Sequence, residues 1–492
     1  MMKKLLLSGS LAVVLMSQTA AAAADERPNI LLAIGDNWAW PHASILGDAT
    51  VKTPVFDRMS QQGVLFDQAF CPVPSCSPTR SSLLTGRAAH QLREAASLWS
   101  KIDKFPVFTE MLEAAGYEVG FTGKGWSPGR YLEYGWKQNP VGKEYKSFEE
   151  FMAQRDPAKP FFFWHGNTDV ALGRWKYGPE GWAGMDPDSV VVPPELPDNQ
   201  ASRESMLAYY GGVQRQDAQF GEAIERLEKD GLLDETAVIY TSDNGWQMPR
   251  GLANCYDTGM RIPMAVRWGN HLQAGRRVAD FVCLTDLAPT FLELAGVPVP
   301  EEMTGRSFVD VMKGQPSAVV RDHVFIERER HANVRRNNLS YPIRGIRTAE
   351  FLYLWNLRPD RWPAGDPTAW MSVDDYGDVD RSWVKEYILQ HRDEPAMRPF
   401  YDLSFAKRPA EELYDLRTDP HQLKNVAGDA AYAEARKQLR GRVEQWMKDT
   451  GDPRVDAGYD GWDAFEYFGG NVVDENGKLK QLKRPWQDLE AK

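Results

Sequence analysis

The sequence predicts an α/β protein built on a large, mixed but mostly parallel sheet flanked by helices, with a smaller C-terminal α+β subdomain. Three observations carry that expectation. Short continuous apolar runs alternate with segments of helical periodicity, the pattern of a sheet covered on both faces. Polar residues come directly after those runs, at Gly35-Asp36-Asn37, Gly123-Lys124, His165 and Ser242-Asp243-Asn244. In open α/β sheets that carboxyl edge is where sites are built. After about Tyr341 the alternation gives way to a hairpin, a loop-rich stretch and one last helix.

Taken in order, Met1 to Ala24 reads as a secretory signal. Lys3 and Lys4 precede the apolar run Leu5 to Met16, and Ala20 to Ala24 offers small-residue cleavage sites. The run is shorter than the about 20 residues a membrane helix needs. The mature chain is therefore expected to begin near Asp25, without a membrane span, in the periplasm or secreted. Asn29 to Ile34 is a strand buried on both faces. Pro54 to Gln62 is a helix with proline at its start. Val107 to Ala115 is a helix stopped by Gly116. Tyr117 to Phe121 and Phe161 to Trp164 are strands leading to Lys124 and His165. Ala201 to Lys229 is a long amphipathic helix. Ala237 to Thr241 and Pro263 to Trp268 are strands, and Thr285 to Leu294 a helix. Ile343 to Ile346 and Phe351 to Trp355 form a hairpin, Arg358 to Pro399 is loop-rich, and Ala430 to Lys448 closes as a helix. The expected division is residues 1–24 as signal, 25–340 as the catalytic domain and 341–492 as the C-terminal subdomain.

Of the 492 residues, 42% are hydrophobic and 26% charged, an ordinary globular composition that excludes collagen-like and disordered classes. The net charge of -11 leaves no overall basic field for nucleic acid. An anionic substrate would need its positive partners concentrated in one pocket. Four cysteines are too few for a disulfide scaffold.

One cysteine stands in an unusual place. Cys76 lies in Pro74-Ser75-Cys76-Ser77-Pro78-Thr79-Arg80, ahead of Leu83-Leu84-Thr85-Gly86. Pro78 suits a first helical turn. Cys76 then sits at a helix N-terminus, where a thiol is activated, and Arg80 offers a planar fork one turn on. A disulfide with Cys71 is the competing expectation.

This segment resembles the signature of the type I sulfatases, within the alkaline-phosphatase-like superfamily. The likeness extends to Asp36, Thr53-Pro54 to Asp57, Thr241 to Gly245 and Asp286 to Pro289. Within that family, Ser75 to Pro78, His331 with Tyr341-Pro342, and Glu412 to His421 are similar to the heparan N-sulfatases. The resemblance implies that a formylglycine-generating maturation enzyme converts Cys76 to Cα-formylglycine. The hydrated aldehyde is then the nucleophile, and its second hydroxyl expels the sulfate. It also implies a hard cation, Ca²⁺ or Mg²⁺, held by Asp36, Asn37, Asp243, Asn244 and position 76. Either Asp-Asn pair alone would suit an Asx turn equally well. Arg80 and Lys124 are implied as the groups that hold the formylglycine and the sulfate.

The sequence departs from the family at three positions. Gly125-Trp126 comes after Lys124 where many relatives carry histidine. Asp169-Val170-Ala171 lacks the histidine of an Asp-Pro-His. Leu252 stands where Lys or Arg is usual, with Arg250 nearby as a substitute. Trp126, Asp169 and Arg250 are therefore the substrate-binding candidates. His331 and then His165 are the candidate acids for the leaving group, a role worth roughly 10²–10⁴-fold, while His90 is expected to order the loop behind Cys76. Arg174, Lys176, Arg358 and Arg361 are candidate contacts to other anionic groups of a glycan. The expected activity is release of O- or N-linked sulfate from a sulfated carbohydrate. A phosphodiesterase or phosphonate hydrolase of the same superfamily, and a degenerate sulfatase that only binds sulfated glycan, are the alternatives.

Overall fold

The computed structural model describes residues 27–182, 184–370 and 374–469. The expected signal segment lies outside them. The strands in chain order are β1 (Asn29–Gly35), β2 (Val64–Phe70), β3 (Ser100–Lys101), β4 (Glu118–Thr122), β5 (Gly129–Arg130), β6 (Lys143–Glu144), β7 (Phe161–Gly166), β8 (Thr236–Ser242), β9 (Met264–Arg267), β10 (Arg276–Cys283), β11 (His323–Arg328), β12 (Ile343–Thr348), β13 (Phe351–Asn356) and β14 (Glu411–Asp415). Eight of them form one sheet in the order β10-β2-β9-β8-β1-β7-β4-β6. Every neighbouring pair in it is parallel except the two that involve β9. This is the expected large mixed sheet, and β3 pairs β5 beside it.

β1 is central because it can be buried on both sides. Ile30, Leu32 and Ile34 join the core that holds Leu83 and Leu84 of the Cys76–Thr85 helix. Leu31 faces the other way, onto Ala223 and Ile224 of the Gln200–Lys229 helix. The two-residue side-chain period of a strand thus divides the molecule into two helical layers. Register then sets the site. Ile34 pairs with Thr241 and Gly35 with Ser242 across β1 and β8, so Asp36 and Asp243 leave the same sheet edge side by side.

The second sheet, β11-β12-β13-β14, is antiparallel throughout. Ile346, Tyr353 and Leu413 pack on Leu439, Val443 and Met447 of the Ala433–Asp449 helix. The expected hairpin is present as β12 and β13. The sheet, however, begins at His323, ahead of the boundary drawn at residue 341. The stretch read as loop-rich contains the helix Trp383–Gln390, and a second helix, Arg398–Phe405, begins at its end. Among the described residues no helix is long and apolar enough to cross a membrane.

Candidate active site

Cys76 is the first residue of a helix whose ten residues are all buried. Three of its hydroxyls find carbonyls in the core: Ser81 and Thr85 donate to Ser77 and Ser81, and Thr79 to Val73. Ser75 precedes it in extended conformation and does not cap it. Its Oγ instead lies 2.8 Å from His331 Nδ1. All four cysteines are free thiols, so the Cys71–Cys76 disulfide is not formed.

The end of β1 brings Asp36 Oδ1 to 3.4 Å from Cys76 Sγ, with Asn37 Oδ1 at 3.9 Å. Asn37 takes a left-handed φ of 72°, which asparagine tolerates. Its N–H donates to Asp243 Oδ1 at 3.1 Å, tying the ends of β1 and β8 together. Ligand atoms of Asp36, Cys76 and Asp243 lie within 4.8 Å of one another. Asn244 Nδ2 donates to Asn37 Oδ1 at 2.6 Å and to the Gly245 carbonyl at 3.1 Å. Asn244 Oδ1 is buried without a hydrogen-bond partner.

Two cations face these carboxylates. Arg80, one turn along the helix from Cys76, sets Nε and a terminal nitrogen 2.9 Å from Asp243 Oδ2. Its other terminal nitrogen donates to the Lys124 and Gly125 carbonyls at 2.8 and 3.0 Å. Lys124 Nζ bonds Asp36 Oδ1. Burial opposes ionisation of Asp36, but Lys124 and then Arg80 outweigh it and hold its carboxyl below the usual range. Burial and the neighbouring Asp36 charge push Asp243 up to about 7. The Cys76 thiol is pushed well above the ordinary thiol range, by burial first and then by Asp36. The activation expected of a helix N-terminus is therefore overridden, and the unmodified side chain is a poor thiolate nucleophile.

Beside the cluster lies an open cleft of about 620 Å³, lined by Asp36, Lys124, Ser127, Thr168, Ala171 and Arg174, among others. A pocket with two carboxylates, an amide oxygen, two cations and a thiol at one sheet edge suits hydrolysis of an anionic ester. A sequence model of the sulfatase family matches residues 28–297, over half of the chain. The chain belongs to the sulfatase family. It is accordingly a hydrolase of sulfuric esters.

A further model, for the C-terminal part of N-sulphoglucosamine sulphohydrolase, matches residues 249–365. Human N-sulphoglucosamine sulphohydrolase is 28% identical over 475 residues, covering 87% of this chain and 91% of its own. An ulvan-active sulfatase of Formosa agariphila is 25% identical, covering 87% and 76%. A solved complex of a protein with its substrate D-glucosamine-2-N,6-O-disulfate shares the fold, with a TM-score of 0.61 at 19% identity, covering 88% of this chain and all of the other.

The other candidates of this sulfatase fall in different places. His331 is buried against Ser75, and burial lowers its pKa to about 4. It neighbours the site but does not line the cleft. His165 turns away. Trp164 faces the site, its indole N–H on the Lys124 carbonyl and its ring 5.6 Å from the Arg80 guanidinium. The next residue must then point to the opposite face, where the His165 ring packs on Phe220 at 5.0 Å. Trp126 is also buried, donating from Nε1 to Ser81 Oγ at 2.8 Å, so it supports the Cys76 helix from within the core.

Arg250 is not brought to the cluster. Its guanidinium donates to the Leu403 and Gln422 carbonyls and stacks 3.8 Å from the Tyr256 ring centre. Asp169 accepts from Asn167 and Gln219 and pairs with Arg215, away from Cys76. His90 bonds Glu327 and Thr450, each at 2.9 Å, behind the Cys76 helix as expected. Sequence reading missed Gln247 and Asp380. Gln247 accepts from Asn37 Nδ2 at 3.0 Å and donates to Asp380 Oδ2 at 2.5 Å. Gln247 lies three residues beyond Asn244, but Asp380 is 133 residues further on, and no local pattern links the two.

Proposed function

We propose that this sulfatase is exported and releases O- or N-linked sulfate from a sulfated carbohydrate, using a Cα-formylglycine made from Cys76 beside a divalent cation, Ca²⁺ or Mg²⁺. N-sulfated glucosamine is the first substrate to try, supported by the match to the C-terminal model and by the human relative. The observation that carries the mechanism is the donor set around Cys76. Asp36, Asp243 and Asn37 gather oxygens around Cys76, and Asn244, whose Nδ2 meets Asn37, keeps a buried Oδ1 with no protein partner. An orphaned buried carbonyl oxygen among carboxylates fits an oxygen-ligated cation.

When bound, the cation supplies Lewis-acid polarisation of the sulfate oxygens, and the modified residue supplies a hydroxyl nucleophile in place of a suppressed thiol. The chain's own residues do the rest. Lys124 lines the cleft and carries its ammonium beside Asp36, placed to hold a sulfate oxygen. Arg80 directs its donors to Asp243 and to the Lys124 turn. It thereby fixes both the metal side and the Lys124 side of the pocket. The open cleft lets the sugar remain outside while its sulfate enters.

The test is sulfate release from defined saccharides, with N-sulfated glucosamine, O-sulfated glucosamine and ulvan oligosaccharides in parallel with a phosphodiester and a phosphonate ester. The protein is produced with and without a formylglycine-generating enzyme, and the Cys76 peptide is weighed by mass spectrometry. Sulfate release that tracks the formylglycine fraction is the expected result. Preference for the phosphorus esters, or glycan binding without sulfate release by fully modified protein, would overturn it.

A further inference from the structure

Asn37 is an amide at a position where a carboxylate would equally serve a hard cation, and its surroundings are those an amide requires. An amide presents an oxygen or an NH₂ group, and only its partners decide which. We infer that Gln247, held by Leu172 and Asp380, is a positioning residue that turns the oxygen of Asn37 toward the cation site, an assignment that rests on the metal reading above.

The backbone N–H of Leu172 can only donate, so the Gln247 atom 2.5 Å away is its Oε1. Gln247 Nε2 is then left for Asp380 Oδ2, an acceptor. The same Gln247 Oε1 takes a second hydrogen bond from Asn37 Nδ2 at 3.0 Å. That bond commits the Asn37 NH₂ group outward and leaves Oδ1 toward Asn244 and Cys76. Reversed, the same side chain would offer a cation two N–H dipoles. A carboxylate at position 37 would need no such guide, because both its ends are oxygens. It would also set an anion against Gln247 Oε1. Gln247 is thus matched to asparagine at position 37. The three partners come from distant parts of the chain: Leu172 from the loop lining the cleft, Gln247 from beyond β8, and Asp380 from the C-terminal subdomain.

The experiment is calorimetric titration of metal-stripped protein with Ca²⁺ and, separately, Mg²⁺. Wild type, Gln247→Met, Asn37→Asp and the double variant form a cycle. Gln247→Met keeps length and volume, circular dichroism reports folding, and Gln247→Ala stands in if the methionine variant does not fold. Loss of a group that orients a ligand typically weakens metal binding about 10–100-fold. That loss is expected for Gln247→Met when asparagine occupies position 37. A change below about threefold is expected in the Asn37→Asp background, where no amide needs orienting. Wild-type protein that binds neither ion would overturn the metal reading and this inference with it. Wild-type binding that Gln247→Met leaves unchanged would overturn the inference alone, as would an equal loss in both backgrounds.

Discussion

Cys76, Arg80 and Lys124 divide the work of the pocket by what each can still reach. Arg80 is fully buried, with its donors on Asp243 and two carbonyls, whereas Lys124 meets the cleft. Cys76→Ala should therefore lower sulfate release by at least about 10⁴-fold, the scale of losing a nucleophile in other hydrolases. Its melting temperature should stay close to that of wild type, because the helix is held by its own hydroxyl and apolar contacts. Lys124→Ala should lower kcat/KM by about 10²–10³-fold, as expected for removing one charge-stabilising donor. Steady-state kinetics on one defined substrate checks both, and a Lys124→Ala enzyme of wild-type kcat/KM would remove that residue from the pocket. Arg80 and Lys124 were legible in the sequence because they sit at fixed offsets from Cys76 and from a strand end. The orientation of His165 was not. A strand's two faces are told apart only once its neighbours are known, and Trp164 took the side of the site.

At the scale of elements, the turn that delivers Lys124 depends on glycine. Gly123 has φ of +68°, and a Cβ there would meet the Gly166 carbonyl oxygen at 2.1 Å. Both the conformation and the close approach of β4 to the end of β7 exclude a side chain. Gly123→Ala should displace Lys124, lower activity by about tenfold or more, and cost about 1–3 kcal/mol of stability. Thermal denaturation beside kinetics measures the two effects, and an unchanged melting temperature would show that the turn accommodates the methyl group. The strands that built the sheet's centre were plain in the sequence because burial on both faces leaves an uninterrupted apolar run. β2 and β10 escaped notice for physical reasons. β2 carries Asp67 and Gln68 in its middle. β10 is an edge strand, and its register shifts between Val278 and Phe281, which scrambles the two-residue alternation. β11 was missed because its partner β12 lies beyond the boundary that composition suggested.

For the molecule as a whole, the two sheets are joined by contacts that leave little room for separate unfolding. Arg250 donates to the Leu403 and Gln422 carbonyls, His90 bonds Thr450, and Tyr256 donates to Glu412 at 2.8 Å. Where unfolding curves from two probes coincide, pH linkage can be read from them. His42 and His331 are both buried, and burial lowers each from 6.5 to about 4. The unfolded chain therefore binds more protons at these sites between pH 6.5 and 4. Their contribution is complete above 6.5 and is lost as pH falls toward 4, by up to about 3 kcal/mol per site. Asp217 and Asp380 work in the opposite sense. Burial raises each to about 6, so the folded state holds the extra proton between pH 6 and 3.8 and gains stability as pH falls. Asp243, raised to about 7, adds to the carboxylate side and His165, lowered to about 4, to the histidine side, so the wild-type slope is a difference of opposed effects. Removing the histidines should uncover the carboxylates. In a His42→Gln/His331→Gln protein, where glutamine at position 331 can still meet Ser75, stability relative to wild type should rise by several kcal/mol between pH 7 and 4.5. Urea denaturation of both proteins across that range checks it, and parallel curves would show that neither histidine carries the acid sensitivity.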